Sequence, residues 1–174
     1  IFGSSILTGR YNQSINNTFH GFSLNNDTYS LLEENFISVN GEAGIRMDEQ
    51  CIADINQNEI TGNQLSGIVT LLSSTLNIEG NLIHDNVEAG IRLAGNSYAE
   101  ARNNEVYGNG LSGFIITDNA YGVFESNISR NNQQSGFVFF KNSSGTAKNN
   151  TCSDNSYFGI SIHDTASPTI GNNP

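Results

Sequence analysis

Three residues able to move a proton or hold an anion recur at one interval: His84, Tyr107 and Arg130 stand 23 residues apart. Glu59 and Glu105 occupy a parallel row two residues earlier. An imidazole or a phenol can give or take a proton, and a guanidinium can neutralise a carboxylate. Together these groups suit removal of a proton from a carbon beside a carboxylate, with the cation steadying the charge that develops. A second set, Arg46 and Arg92 with Asp48, places two cations at twice the same interval and would contact an acidic sugar. The competing reading of both rows is a solvated face of mixed side chains.

Other chemistries lack their residues. No Cys/His cluster has zinc spacing, and no Gly-Asp calcium nonapeptide repeats. No Ser-His-Asp grouping or phosphate-cradling Gly loop can be read, and His84-Asp85 and His163-Asp164 are isolated dipeptides. No metal ligand set is therefore predicted.

What must position the rows is a repeat. Gly21, Gly44, Gly67, Gly90, Gly113, Gly136 and Gly159 each open a short apolar stretch, and each follows the last by 23 residues. Asn12, Asn35, Asn58, Asn81, Asn104, Asn127, Asn150 and Asn173 keep the same period, as do Asn17, Asn40, Asn63, Asn86, Asn109, Asn132 and Asn155. Within each unit the apolar residues alternate: Ile45-Arg46-Met47 after the Gly, then Ala53-Asp54-Ile55, then Ile60 two residues past an Asn. A period of two is a strand with one face buried. Three short strands per unit leave no room for helices. The pattern predicts an all-β solenoid, a parallel β-helix of 23-residue coils with three short strands per coil and about seven and a half coils in all.

The Asn ladders fall where the chain must turn. Asn tolerates the left-handed backbone that such turns use, and an inward amide can bond its own turn and the Asn one coil away. Cys51 and Cys152 lie more than four coils apart, roughly 20 Å at about 4.8 Å per coil, so no disulfide joins them. Cys152 takes the inward position of Ile83 and Val106 and reads as a small core residue. Ile1 falls on the inward position held later by Leu24 and Met47, and Ser167 to Pro174 open an eighth coil. Residues 1–174 are therefore expected to form a single domain that is a segment of a longer solenoid.

Composition bounds the partners. The net charge is −10 with only seven Lys and Arg, scattered, so a phosphate backbone would be repelled and no nucleic-acid partner is expected. No stretch reaches the roughly 18–20 apolar residues of a membrane span. The acidic balance suits an extracellular, cell-surface or periplasmic protein. On the strand after each Gly, Val69, Leu71, Ile115, Val138 and Phe140 point outward and are expected to form an exposed apolar face, a possible protein partner's site.

The form Asn58-Glu59-Ile60-Thr61-Gly62-Asn63 followed by Gly67-Ile68, repeated at Asn81-Leu82-Ile83-His84-Asp85-Asn86 and Gly90-Ile91, resembles the right-handed parallel β-helix repeat. Such repeats occur in pectate-lyase-like, alginate C5-epimerase and NosD-like proteins and in carbohydrate-binding and sugar-hydrolase modules. The resemblance covers nearly the whole chain and implies a right-handed coil and a link to polysaccharides. It is specific for fold and weak for function. The Asp-Pro-His-Asp type of motif of alginate epimerases has no match here. Three functions remain open. The leading expectation is a non-catalytic carbohydrate-recognition or structural segment of a secreted or surface protein. The second is a polysaccharide lyase or C5-epimerase using His84, Tyr107 and Arg130, with Glu59, Glu105, Arg46, Arg92 and Asp48 contacting the glycan. The third is a protein-interaction scaffold. No cofactor is expected, except that Ca²⁺ would mediate if the substrate is a polyuronate.

Overall fold

A computed structural model describes residues 4–173, so the expectations for Ile1 and Pro174 lie outside the described residues. Three parallel sheets run the length of the molecule. The first holds eight five-residue strands, from Ile6–Arg10 to Ser167–Gly171. The second holds seven three-residue strands, from Gln13–Ile15 to Thr151–Ser153, and the third seven, from Phe22–Leu24 to Ile160–Ile162. Every register offset is one coil of 23 residues, as in Leu76↔Ala99 and Val106↔Ser129. Among the described residues no helix forms. The predicted solenoid, with three strands per coil, is the observed one.

Burial alternates as the sequence dictates. In Tyr98–Arg102 only Ala99 and Ala101 are buried, and in Ile91–Leu93 the middle residue, Arg92, looks outward. Inside, the coils change character along the axis. Ile45, Ile68, Ile91, Met47 and Leu93 fill the earlier coils, and Phe114, Phe124, Phe137 and Phe139 fill the later ones. Phe114 and Phe137 stack at 4.2 Å, and Phe124 meets both edge-on. Gly122 makes this possible, because a Cβ there would run into the Phe124 ring.

The two inward Asn ladders are continuous. The Asn58 side-chain amide donates to Asn81 Oδ1 at 3.0 Å and to the Leu32 carbonyl at 2.9 Å, while the Asn58 backbone N–H donates to Asn81 Oδ1 at 2.9 Å. The other ladder repeats the scheme from Asn40 through Asn63, Asn86 and Asn109. One expectation is corrected. The left-handed residue is not the ladder Asn but the one before it: Glu34, Val39, Gln57, Asp85 and Asn103 all have positive φ. Even β-branched Val39 is held there (φ 54°), because the following amide locks the turn from inside. The ladder therefore selects Asn for its hydrogen bonds, not for its backbone freedom.

Candidate functional site

The second sheet brings the first predicted row together. Strands Leu82–His84, Glu105–Tyr107 and Ile128–Arg130 pair in register, setting His84, Tyr107 and Arg130 on successive coils. The His84 and Tyr107 rings stack at 4.7 Å and 1°, and the Arg130 guanidinium lies over the Tyr107 ring at 4.3 Å. Carboxylates flank this column. Arg130 donates to Glu105 Oε1 from two nitrogens, at 2.6 and 2.9 Å. His84 Nδ1 faces Asp85 at 2.9 Å and its Nε2 faces Glu59 at 3.4 Å. The Tyr107 hydroxyl has no hydrogen-bond partner among the described residues. Burial, and then the Asp85 charge, push the Tyr107 pKa above the usual phenol value, with Arg130 opposing. At neutral pH Tyr107 is therefore a proton donor rather than a phenolate base.

The third sheet brings the second set together in a different setting. A cleft of about 190 Å³ is lined by His20, Arg46, Leu65, Ser66, Val69, Leu71, Glu88 and Arg92. Its floor follows the register Arg46↔Val69↔Arg92 on three successive coils. Its wall is the turn preceding each strand, which contributes Leu65 and Glu88. Arg46 donates through Nε to Asp48 at 2.8 Å, and its Nη1 lies 3.4 Å from His20 Nε2. Arg92 differs. Its Nε is enclosed and has no acceptor among the described residues, although Asp118 feels its charge. The cleft thus combines apolar side chains, an acidic rim and one cation, Arg92, with no hydrogen-bond or ion-pair partner among the described residues.

Comparison with known proteins decides the family. A family model described as a right-handed β-helix region matches residues 1–82 and again residues 20–174. The chain belongs to the right-handed β-helix family. A crystal structure of a point mutant of the periplasmic alginate epimerase AlgG shares this β-helix with a TM-score of 0.91 and 19% identity, over 97% of this chain and 45% of that one. A second AlgG structure gives a TM-score of 0.78 at 19% identity, over 95% and 43%. An AlgG double mutant gives 0.87 at 18%, over 98% and 46%. At such identities the likeness shows the shared right-handed β-helix alone, and the chain spans less than half the length of those epimerase chains. A search of curated proteins returns no match.

Within this β-helix, several site residues escaped the sequence reading. Asp85, noted only as part of a dipeptide, closes on His84, and Thr61 Oγ1 adds a contact at 3.2 Å. Glu42, Leu65 and Glu88 form a ladder of their own at the coil period, just ahead of Ala43, Ser66 and Ala89, and this spacing could have revealed the cleft wall. A third, exposed Asn ladder runs Asn142 to Asn119 to Asn96. The expected apolar face is less open than its sequence suggests. Val69, Leu71, Ile115, Val138 and Phe140 are each half-buried, because neighbours one coil away and the preceding turns cover them. Cys51 and Cys152 are both free, and burial pushes the Cys152 thiol up to about 11, which leaves it inert at neutral pH. Among the described residues, no group of three or more His, Cys, Asp or Glu is placed to hold a metal ion, and no helix is long and apolar enough to cross a membrane.

Proposed function

We propose that this chain is a carbohydrate-recognition segment of an extracellular, cell-surface or periplasmic β-helix protein, binding an acidic glycan in the cleft between Arg46 and Arg92 without turnover. The observation that carries this reading is Arg92, which lines the cleft beside Val69 and Leu71 and has no hydrogen-bond or ion-pair partner among the described residues. A guanidinium in that state gains a charge-assisted hydrogen bond from a carboxylate ligand. The apolar floor suits the C–H face of a sugar ring. The periplasmic setting and polysaccharide chemistry of AlgG support the placement and the ligand class by analogy of fold. The test is calorimetry with a panel of acidic and neutral polysaccharides, with and without Ca²⁺, while chain length and unsaturated product are followed. Saturable binding of acidic chains without product is expected, and Arg92→Gln should weaken it about tenfold or more. Binding that Arg92→Gln leaves intact, or no binding at all, would sink this reading. Dependence on Ca²⁺ would mean that the ion bridges the glycan to the acidic rim at Glu88.

One observation favours a second reading, a lyase or C5-epimerase: His84, Tyr107 and Arg130 converge in one stack with a free phenol. It ranks lower because Arg130 is spent on Glu105, and both His84 nitrogens face carboxylates. Turnover that Tyr107→Phe abolishes without lowering Tm would establish it.

A further inference from the structure

The recognition reading leaves open how charge is arranged along the glycan, and the cleft floor answers it. Arg46, Val69 and Arg92 occupy one register position on three successive coils. Adjacent coils are about 4.8 Å apart, so the two guanidiniums are rooted about 9.6 Å from each other. One coil rise is close to the length of one sugar in a chain. A glycan lying along the axis therefore meets a cation, then Val69, then a cation. We propose that the cleft selects a polysaccharide in which uronic acid and neutral sugars alternate, and discriminates against one with a carboxylate on every residue. This rests on the recognition reading above and specifies its ligand.

The physical case lies in the middle position. A carboxylate placed over Val69 would sit against Leu65 and Leu71 and lose water, with no donor at its own register position, which is costly. The rim adds repulsion, since the Glu88 carboxylate lines the same cleft and, among the described residues, is bonded only to Ser66 Oγ at 3.2 Å. A neutral sugar there loses nothing and covers the apolar floor. At the flanking positions the cations differ. Arg92 has no hydrogen-bond or ion-pair partner among the described residues, while Arg46 has spent its Nε on Asp48 and keeps its outer nitrogens. The alternating chain thus gains its main bond at Arg92 and a secondary one at Arg46.

Isothermal titration of the intact chain with size-matched oligosaccharides tests this. The alternating probe is a hyaluronan oligosaccharide, the fully charged probe an oligogalacturonate, and the uncharged probe a malto-oligosaccharide. The alternating probe should bind about tenfold more tightly than the fully charged one, the scale of one unmet charged hydrogen bond. Val69→Arg supplies the missing donor and should raise affinity for the oligogalacturonate by a similar factor, with thermal melting confirming that the variant is folded. Equal or tighter binding of the oligogalacturonate by the unmodified chain overturns the alternation while leaving acidic-glycan recognition standing. Preference for the malto-oligosaccharide, or no binding of any probe, removes both.

Discussion

Two outward rows of the same solenoid, built by the same repeat, end in opposite electrostatic states. In the column on the second sheet the guanidinium and the imidazole are both engaged within the molecule. Arg130 is held by Glu105 and stacked on Tyr107, and His84 is boxed by Glu59, Asp85 and Tyr107. In the cleft on the third sheet, Arg92 keeps a nitrogen with no acceptor and Glu88 has no cation partner among the described residues. A parallel in-register stack places like positions side by side, so a row closes on itself when neighbouring coils carry complementary groups. The column does so through a His-Tyr-Arg order. The cleft does not, because Val69 separates its two arginines. The column is built to be stable, and the cleft is left able to bind.

The largest expected effect tests what the two rows share. Asn86 lies between His84 and Arg92 on one coil. Its side chain accepts from the Asn63 backbone and amide at 3.1 and 2.9 Å, and donates to Asn109 Oδ1 and the Ile60 carbonyl at 3.1 and 3.2 Å. Asn86→Ala leaves several buried groups unmet, each worth about 1–3 kcal/mol, so a loss on the order of 4 kcal/mol is expected. Chemical denaturation measures it. Glycan binding and the column should fail together; a change below about 1 kcal/mol would mean that the ladder is not what holds the coils.

A smaller effect separates the rows. Arg130→Gln removes a partly exposed ion pair and a cation–π contact, together worth about 1 kcal/mol. Arg92→Gln removes neither, so its Tm should hold while acidic-glycan affinity falls. Each variant carries the control for the other. If Arg130→Gln weakens binding as much as Arg92→Gln does, the column belongs to the binding surface and the contrast between the rows fails.

How far the sequence reaches follows from which positions the repeat constrains. The strand alternation in Ile91-Arg92-Leu93 and the fixed interval from His84 to Arg130 were enough to name the column, because in-register strands leave no freedom about which residues become neighbours. The cleft was half legible. Arg46 and Arg92 could be read as outward, but Leu65 and Glu88 come from a turn, where no period of two says which way a side chain points. The turn chemistry was misplaced by one residue for a related reason. Asn looks like the left-handed residue by propensity, yet the amide hydrogen bonds at Asn58 and Asn81 require an inward side chain, and the left-handed conformation falls on Gln57 and Gly80. The Phe124 and Gly122 pairing was illegible because it depends on side-chain volume across coils rather than on pattern.

The smallest expected effect is in pH, and it belongs to the cleft. His20 Nδ1 accepts from the Ala43 N–H at 3.2 Å, and its Nε2 faces Glu42 at 2.8 Å and Arg46 at 3.4 Å. A proton on Nδ1 would face the Ala43 donor and break that bond. Burial lowers the His20 pKa from 6.5, and Arg46 lowers it further against the pull of Glu42 and Asp48. The sign follows from linkage. With the folded pKa below the unfolded one, the unfolded chain takes up its proton first as the solution is acidified. Stability from this group is present above pH 6.5, declines below it, and is fully lost once the pH falls through the folded pKa. The difference in Tm between the parent chain and His20→Gln, followed across that window, isolates the contribution from the other histidines. The parent should lose its advantage on acidification. A gain instead would show that protonated His20 is stabilised by Glu42, and that the cleft too is closed from within.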